Sequence, residues 1–244
     1  MTHRFSREEL LLGREKLGKL KKSHVAVFGA GGVGSYVIEA LARSGVGALD
    51  IIDGDKVSLT NCNRQLIALE STVGKGKAEV ARQRVLDISP ECEVRAVPLF
   101  FTAETADSIS FSQYDYIADA IDMVTSKILL ISMAKEANVP LISCMGTGNK
   151  FDPMAFQVAD ISETSICPLA RVMRKELKKR GISGVKAVFS TEEAIAPLPA
   201  EEDDRKGDPG RTVTPGSMAF VPAAAGLLLA SEIVKDLVGG FEKD

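Results

Sequence analysis

Short apolar runs alternate with stretches of helical spacing along most of this chain. HVAVF at 24–28 reads as a buried strand, and ALDIID at 48–53, CEVRAV at 92–97, YDYIADA at 114–120 and VPLIS at 139–143 read as further strands. Between them, 37–45 puts Val37, Ile38 and Leu41 on one face and stops at Gly45. Residues 75–88 form an amphipathic helix ending before Ser89-Pro90, 103–109 a short helix, and 124–138 a longer one. Strand and helix in strict alternation predict an α/β fold, a Rossmann-like, mostly parallel sheet with helices on both faces.

The second half is less regular. FQVADI (156–161) and VKAVFS (185–190) predict strands, with a helix from Cys167 to Arg180 between them. Residues 197–216, rich in Pro, Gly, Asp and Glu, predict a mobile loop. Its Arg205, Lys206 and Arg211 suit either closure over a substrate or no role at all. A last helix over 222–238 is expected to pack through Leu227, Leu228, Ile233, Val234 and Leu237. No internal repeat is visible.

With 244 residues, 45% apolar and 26% charged, the chain can bury one sizeable core, so 1–244 reads as one domain. Its glycine-rich nucleotide half covers about 1–145 and a substrate-side half about 146–244. A net charge of −3 does not advertise nucleic acid, yet Arg171, Arg174, Lys175, Lys178, Lys179 and Arg180 crowd one helix. That stripe suits nucleic-acid phosphates or plain solvent. Cys62, Cys92, Cys144 and Cys167 form no C-x-x-C pair, which argues against a zinc ribbon and suits a reducing cytoplasm. The polar N-terminus, Met1 to Gly13, has no signal-peptide core, and the apolar stretch from Met218 to Ala230 is too short to span a bilayer.

The chemistry begins at GAGGVGS, 29–35. Gly29, Gly31 and Gly34, with Gly32 inside the turn, form G-x-G-x-x-G between a strand and a helix. This allows a tight turn, close backbone approach to a phosphate or ribose, and tight helix-strand packing. Asp53, at the end of the second strand, can accept hydrogen bonds from ribose hydroxyls. These features indicate an adenine nucleotide without choosing among NAD, FAD and ATP. Asn61, Arg64 and Gln65 follow in DGDKVSLTNCNRQ (53–65), and Lys75 and Lys77 open the next helix. Hydride transfer has no need of a guanidinium and an ammonium beside the nucleotide; a triphosphate does. DAID (119–122) ends the fourth strand, where Asp122 is placed to hold Mg²⁺. Each residue also admits a structural reading: Asp53 as a strand cap, Lys77 as a solvated lysine, Arg64 paired with Asp55, Asp122 as a helix N-cap.

In this order the residues resemble the superfamily of ubiquitin-activating, thiamine- and molybdopterin-adenylyltransferase enzymes. The resemblance implies its ubiquitin-activating-enzyme-like (ThiF) fold and an acyl-adenylate product. It implies that Asp53 holds the ribose, that Asn61, Arg64 and Lys77 hold phosphates, and that Asp122 holds magnesium. Asp55 and Gln65 belong to the same nucleotide-binding set. Arg7, in RFSREELLLG, resembles an arginine that such homodimers lend to the partner's site. With Arg64, Lys77 and Asp122 it completes the expected catalytic set. Two departures stand out: the paired C-x-x-C zinc motifs of the sulfur-carrier activators are missing, and a catalytic-cysteine domain has no room.

The second half narrows the resemblance. The stretch 144–182, with its N-K-x-D-P element at 149–153, and PGSMAFVPAAAGLLLASEIVKDL (215–237) are similar to the tRNA threonylcarbamoyladenosine dehydratase branch. That branch uses ATP to activate the threonyl carboxylate of the modified adenosine in the anticodon loop, which then cyclises. The implied cofactors are ATP and Mg²⁺, with a monovalent cation left open. The implied partner is tRNA, with a sulfur-relay protein left open. Activation of a ubiquitin-like sulfur-carrier protein, using Cys167, is the alternative, and a nicotinamide oxidoreductase is a more distant one. His3 and His24 lie in no recognisable triad.

Overall fold

A computed structural model describes residues 3–198 and 215–241. Its strands are β1 (His24–Phe28), β2 (Ala48–Ile52), β3 (Glu93–Val97), β4 (Tyr116–Asp119), β5 (Leu141–Cys144), β6 (Phe156–Asp160) and β7 (Lys186–Ser190). The helices are α1 (Ser6–Leu20), α2 (Gly34–Arg43), α3 (Lys77–Ile88), α4 (Val124–Glu136), α5 (Pro168–Lys179) and α6 (Phe220–Val238). All seven strands join one sheet in the order β3-β2-β1-β4-β5-β7-β6. Every neighbouring pair is parallel except β6 with β7.

The apolar runs are continuous because both sheet faces are covered. On β1, Val25 and Val27 face the cluster built with α2, α3 and α6. Ala26 and Phe28 face the opposite cluster with Leu130 of α4, Phe101 and Phe111. Phe28 meets the ring of Phe101 edge-on at 5.0 Å between centroids. A third cluster joins α4 to α5 through Ile131, Met173 and Leu177. Each such fully buried side chain contributes about 1.5–3 kcal/mol relative to exposure. The helix α6 crosses α2 closely: a Cβ on Gly226 would lie 2.5 Å from the Val33 carbonyl oxygen.

Three expectations need correction. First, α1 is an element that periodicity does not announce. It is two helical halves joined at Gly13 (φ 75°), folded back so that Phe5 and Leu17 both reach Gly45. Second, 103–109 holds only a 3₁₀ turn at Ala106–Ser108. The Thr105 hydroxyl accepts from the Thr102 N–H at 3.0 Å and donates to the Phe100 carbonyl at 2.6 Å. These local bonds offer the backbone an alternative to a helix. Third, Leu227 of α6 is half exposed, and Ala225, Leu229 and Ala230 are buried with Ile233 and Val234 instead. Of the expected loop 197–216, residues 197–198 and 215–216 have no regular structure, while Arg205, Lys206 and Arg211 lie outside the described residues.

Candidate functional site

The carboxyl ends of β1, β2 and β4 converge on the glycine turn. Gly29 sits at φ 93°, and a Cβ there would lie 2.7 Å from the Ala120 carbonyl oxygen just beyond β4. A Cβ on Gly34 would lie 1.7 Å from the Gly29 carbonyl oxygen, so the turn closes only with glycine at both places. Gly31 differs: its nearest neighbour would be Gln65 Nε2 at 3.8 Å, which leaves its backbone open to a ligand. Gly32 lies between Pro222 of α6, at 3.2 Å from its would-be Cβ, and Arg64 Cγ, at 3.6 Å.

Asp53 ties the end of β2 to this turn. Its carboxylate accepts the N–H of Ala30 at 2.7 Å and of Asp55 at 2.8 Å. Burial raises its pKa above the ordinary aspartate value, against the opposing pull of the Lys77 charge and the two backbone N–H bonds. Lys77, the first residue of α3, is buried and donates to Asp55 Oδ2 at 2.9 Å. Asp55 therefore pairs with Lys77, and Arg64 is held otherwise, by the Thr60 carbonyl at 2.8 Å and Asn63 Oδ1 at 3.0 Å. Partial burial lowers the Arg64 pKa from a starting value so high that the guanidinium stays charged.

The loop between β2 and α3 carries the remaining polar groups. Asn61 is buried, and its Oδ1 accepts the Ser58 N–H at 3.1 Å, closing the 3₁₀ turn Leu59–Asn61. Ser35 of α2 accepts the Leu66 N–H at 3.1 Å and fixes the loop against the glycine helix. Gln65 is 7% exposed and its Oε1 is buried without a hydrogen-bond partner. An orphaned amide oxygen costs about 1–3 kcal/mol unless a ligand donates to it. The other end of the same amide, Nε2, is the group that faces Gly31, so Gln65 lines the turn a nucleotide would use.

Asp122 is exposed and lies two residues beyond the Ala120 carbonyl that touches Gly29. It is not the α4 N-cap, a place taken by Met123. Sequence reasoning missed the group beneath it. Asp119 and Lys127 are both 0% exposed and paired at 2.9 Å. Asp119 also accepts Ser143 Oγ at 2.6 Å and the Ile121 N–H at 3.2 Å. This buried pair anchors the loop bearing Asp122 to α4 and β5. A lysine at helical spacing looks like a surface residue, and only the preceding acidic strand end hints otherwise.

Arg7 is not brought to this edge. Phe5 packs at Gly45, and Arg4 donates to the Ile88 carbonyl, both near the amino-terminal edge of the sheet. Arg7, exposed in the first turn of α1, lies with them. A cavity of about 200 Å³ opens on that edge, lined by Tyr116, Leu141, Lys186 and Asp236 among others. Its polar groups are already engaged, Tyr116 with Asp236 at 2.6 Å and Lys186 with Asp236 at 2.7 Å. The glycine turn lies at the opposite edge of the sheet.

The segment after β5 is built around Asn149 and Glu192. Asn149, at φ 59°, donates its N–H to the Gly216 carbonyl at 2.8 Å and accepts the Gly216 N–H at 2.7 Å and the Ile195 N–H at 2.9 Å. Glu192 accepts the N–H groups of Phe151 and Asp152, each at 2.9 Å. Asn63 Nδ2 donates to the Ser217 carbonyl at 2.9 Å, which joins this side to the Arg64 loop.

The thiols are mostly withdrawn. Cys167 is the N-cap residue of α5 and 1% exposed, so as folded it offers no reachable sulfur for a thioester. Burial pushes the Cys144 thiol up to about 12 and that of Cys92 to about 11. Only Cys62 of the four is exposed. Brief iodoacetamide treatment of the native protein at neutral pH is expected to alkylate Cys62 alone, as read by intact and peptide mass spectrometry. Equal labelling of Cys144 or Cys167 would contradict this packing.

Comparison with known proteins places these features in context. The ThiF family model matches residues 5–243. The chain is 47% identical to the tRNA threonylcarbamoyladenosine dehydratase of Bacillus subtilis, over 99% of this chain and 97% of that one. It is 41% identical to the enzyme of the same name from Escherichia coli, over 80% and 75% of the two chains. The solved structure of the E. coli tRNA N6-threonylcarbamoyladenosine dehydratase in complex with ATP superposes with a TM-score of 0.84, at 36% identity over 97% of this chain and 94% of that one.

Proposed function

The chain belongs to the ThiF family, and on that premise we propose that it uses ATP to adenylylate the carboxylate of threonylcarbamoyladenosine in a tRNA anticodon loop, which then cyclises with loss of water. One observation carries the reading. The glycine turn, Arg64 and the Asp53–Lys77–Asp55 group share one sheet edge, where Gln65 keeps a buried oxygen without a donor. The names of the two dehydratase relatives state the same reaction class, and the E. coli structure was solved with ATP.

A carboxylate is a poor electrophile because its leaving group would be oxide. One of its oxygens attacks the α-phosphorus of ATP, pyrophosphate leaves, and an acyl-adenylate results. A nucleophile in the same side chain then attacks the acyl carbon, and AMP departs with the former carboxylate oxygen. The protein's part is to hold two anions together and screen their repulsion. The free N–H groups at the start of α2 receive phosphate oxygens. Arg64 offers a forked donor, Lys77 a point charge, and Asp53 an acceptor for ribose hydroxyls. Gln65 and Asn61 line the same wall, with Asp55 orienting Lys77.

Asp122 would hold Mg²⁺. No group of three or more His, Cys, Asp or Glu suited to a metal exists among the described residues, so one carboxylate, phosphates and water would complete the shell, as Mg²⁺ prefers. Bound there, the ion would screen the negative charge of the triphosphate and of the departing pyrophosphate. Arg7 stands too far from its own glycine turn to act there, which supports a homodimer in which each protomer lends Arg7 to its partner. No helix among the described residues is long and apolar enough to cross a membrane, which accords with work on cytoplasmic tRNA.

The test is direct. Incubation with ATP, magnesium and tRNA bearing threonylcarbamoyladenosine should release AMP and pyrophosphate and yield, after nuclease digestion, a nucleoside lighter by one water. An unchanged nucleoside with no ATP consumed would refute the proposal.

A further inference from the structure

The proposed reaction needs a hold on tRNA, which an overall charge of −3 does not supply. Helix α5 breaks the trend: between residues 168 and 180 there are six basic residues and one acidic. Its buried side is Ala170, Met173 and Leu177. Arg171, Lys175 and Lys178 recur at helical spacing on one exposed face. The single acid, Glu176, pairs with Lys179 at 2.7 Å and Arg180 at 2.8 Å. Arg174 is turned inward onto the Thr164 carbonyl at 2.7 Å. Arg171, Lys175 and Lys178 have no carboxylate partner among the described residues. Three like charges in a row repel one another, and the helix's single acid is engaged by Lys179 and Arg180.

Position adds to charge. The first turn of α5 lies at the carboxyl end of β5: Cys167 Sγ would be 3.6 Å from a Cβ on Gly146. The helix packs against α4, whose start follows Asp122. The row of cations therefore begins at the edge that holds the glycine turn and runs away from it for about 15–18 Å.

We propose that Arg171, Lys175 and Lys178 form the docking surface for the tRNA backbone, gripping stem phosphates while the modified loop reaches the glycine-turn edge. This rests on the functional reading above. Free phosphate contacts of this kind position nucleic acid without reading its sequence, and each one makes binding steeper in salt.

The test compares three proteins by filter binding of threonylcarbamoyladenosine-bearing tRNA across a salt series: the unaltered chain, R171A/K175A/K178A, and a control, K21A/K22A/K235A, with the same charge change at the amino-terminal edge. Alanine suits an exposed helix, and ATP binding read on the same samples reports whether each protein is folded. The α5 variant should bind tRNA about tenfold or more weakly, with a log–log salt slope shallower by about 2–3. Its KM for tRNA should rise while kcat at saturation holds. The control should match the unaltered chain. Should the triple variant lose ATP binding, K175A alone should still flatten the slope by about 1. Equal affinity and slope for the α5 variant and the unaltered chain would overturn the surface and leave the reaction standing. Failure of the unaltered chain to bind and dehydrate the tRNA would instead remove the reaction, and the surface with it.

Discussion

Alanine at Arg64 or Lys77 is expected to cut turnover of modified tRNA by about 10²–10³-fold while the protein stays folded, the usual cost of deleting one preorganised donor to a developing charge. Arg64 makes its bonds within its own loop, to Thr60 and Asn63, so its removal leaves no buried charge behind. Loss of Lys77 frees Asp55, which is 53% exposed and readily solvated, while the buried Asp53 loses a nearby charge but keeps its two backbone N–H bonds. The expected signature is therefore a fall in kcat/KM with little change in melting temperature. Arginine at 77 should not rescue, because a planar fork cannot take the place of a point charge in a buried slot beside Asp55. Either alanine variant cyclising modified tRNA at the normal rate would remove the phosphate role from that residue.

The second large effect is on stability. Lys127→Met would strand the Asp119 carboxylate, which is 0% exposed, with Ser143 and one backbone N–H as its remaining donors. Breaking a buried ion pair by removing one partner costs about 3–5 kcal/mol. Against a total of roughly 5–15 kcal/mol this is severe, and a fall of about 10 °C in melting temperature follows for a chain this size. Pairing Lys127→Met with Asp119→Asn should restore much of the loss, since a neutral pair leaves no uncompensated charge. Chemical denaturation of both single variants and the double variant measures this. Additive losses in the double variant would show that the two side chains do not act as a pair.

How much could be read from residues alone follows from where the information lies. The central strands, buried on both faces, write themselves as apolar runs, and the half-exposed edge strands β3 and β6 still alternate apolar with polar residues, so all seven were legible within a residue or two. The glycine turn was legible because no other residue fits at 29 or 34. The α1 hairpin was not, because Leu10 and Leu11 stand exposed while Leu17 and Leu20 are buried, so the apolar spacing follows no single face. Gly13, which folds the helix back, reads as a simple stop. The Asp119–Lys127 pair was hidden for another reason: burial of a lysine is decided by the strands that surround it, not by its neighbours in sequence. The reversed direction of β6 likewise leaves no trace in hydrophobic pattern, since strands of either sense look alike. Arg7 has a likeness in sequence, but a single chain gives it no site to complete.

The Pro222 ring resting on Gly32, with Gly226 pressed to Val33, makes the chain's last helix a structural wall of the cradle formed near its beginning. Residues 1–145 and 146–244 are thus not separable pieces. A fragment cut after residue 145 would keep every glycine of the motif yet expose the α2 surface that α6 covers. Emergence from the ribosome has the same geometry: the first strands can form early, but a competent cradle exists only once the C-terminal helix is free to close on it.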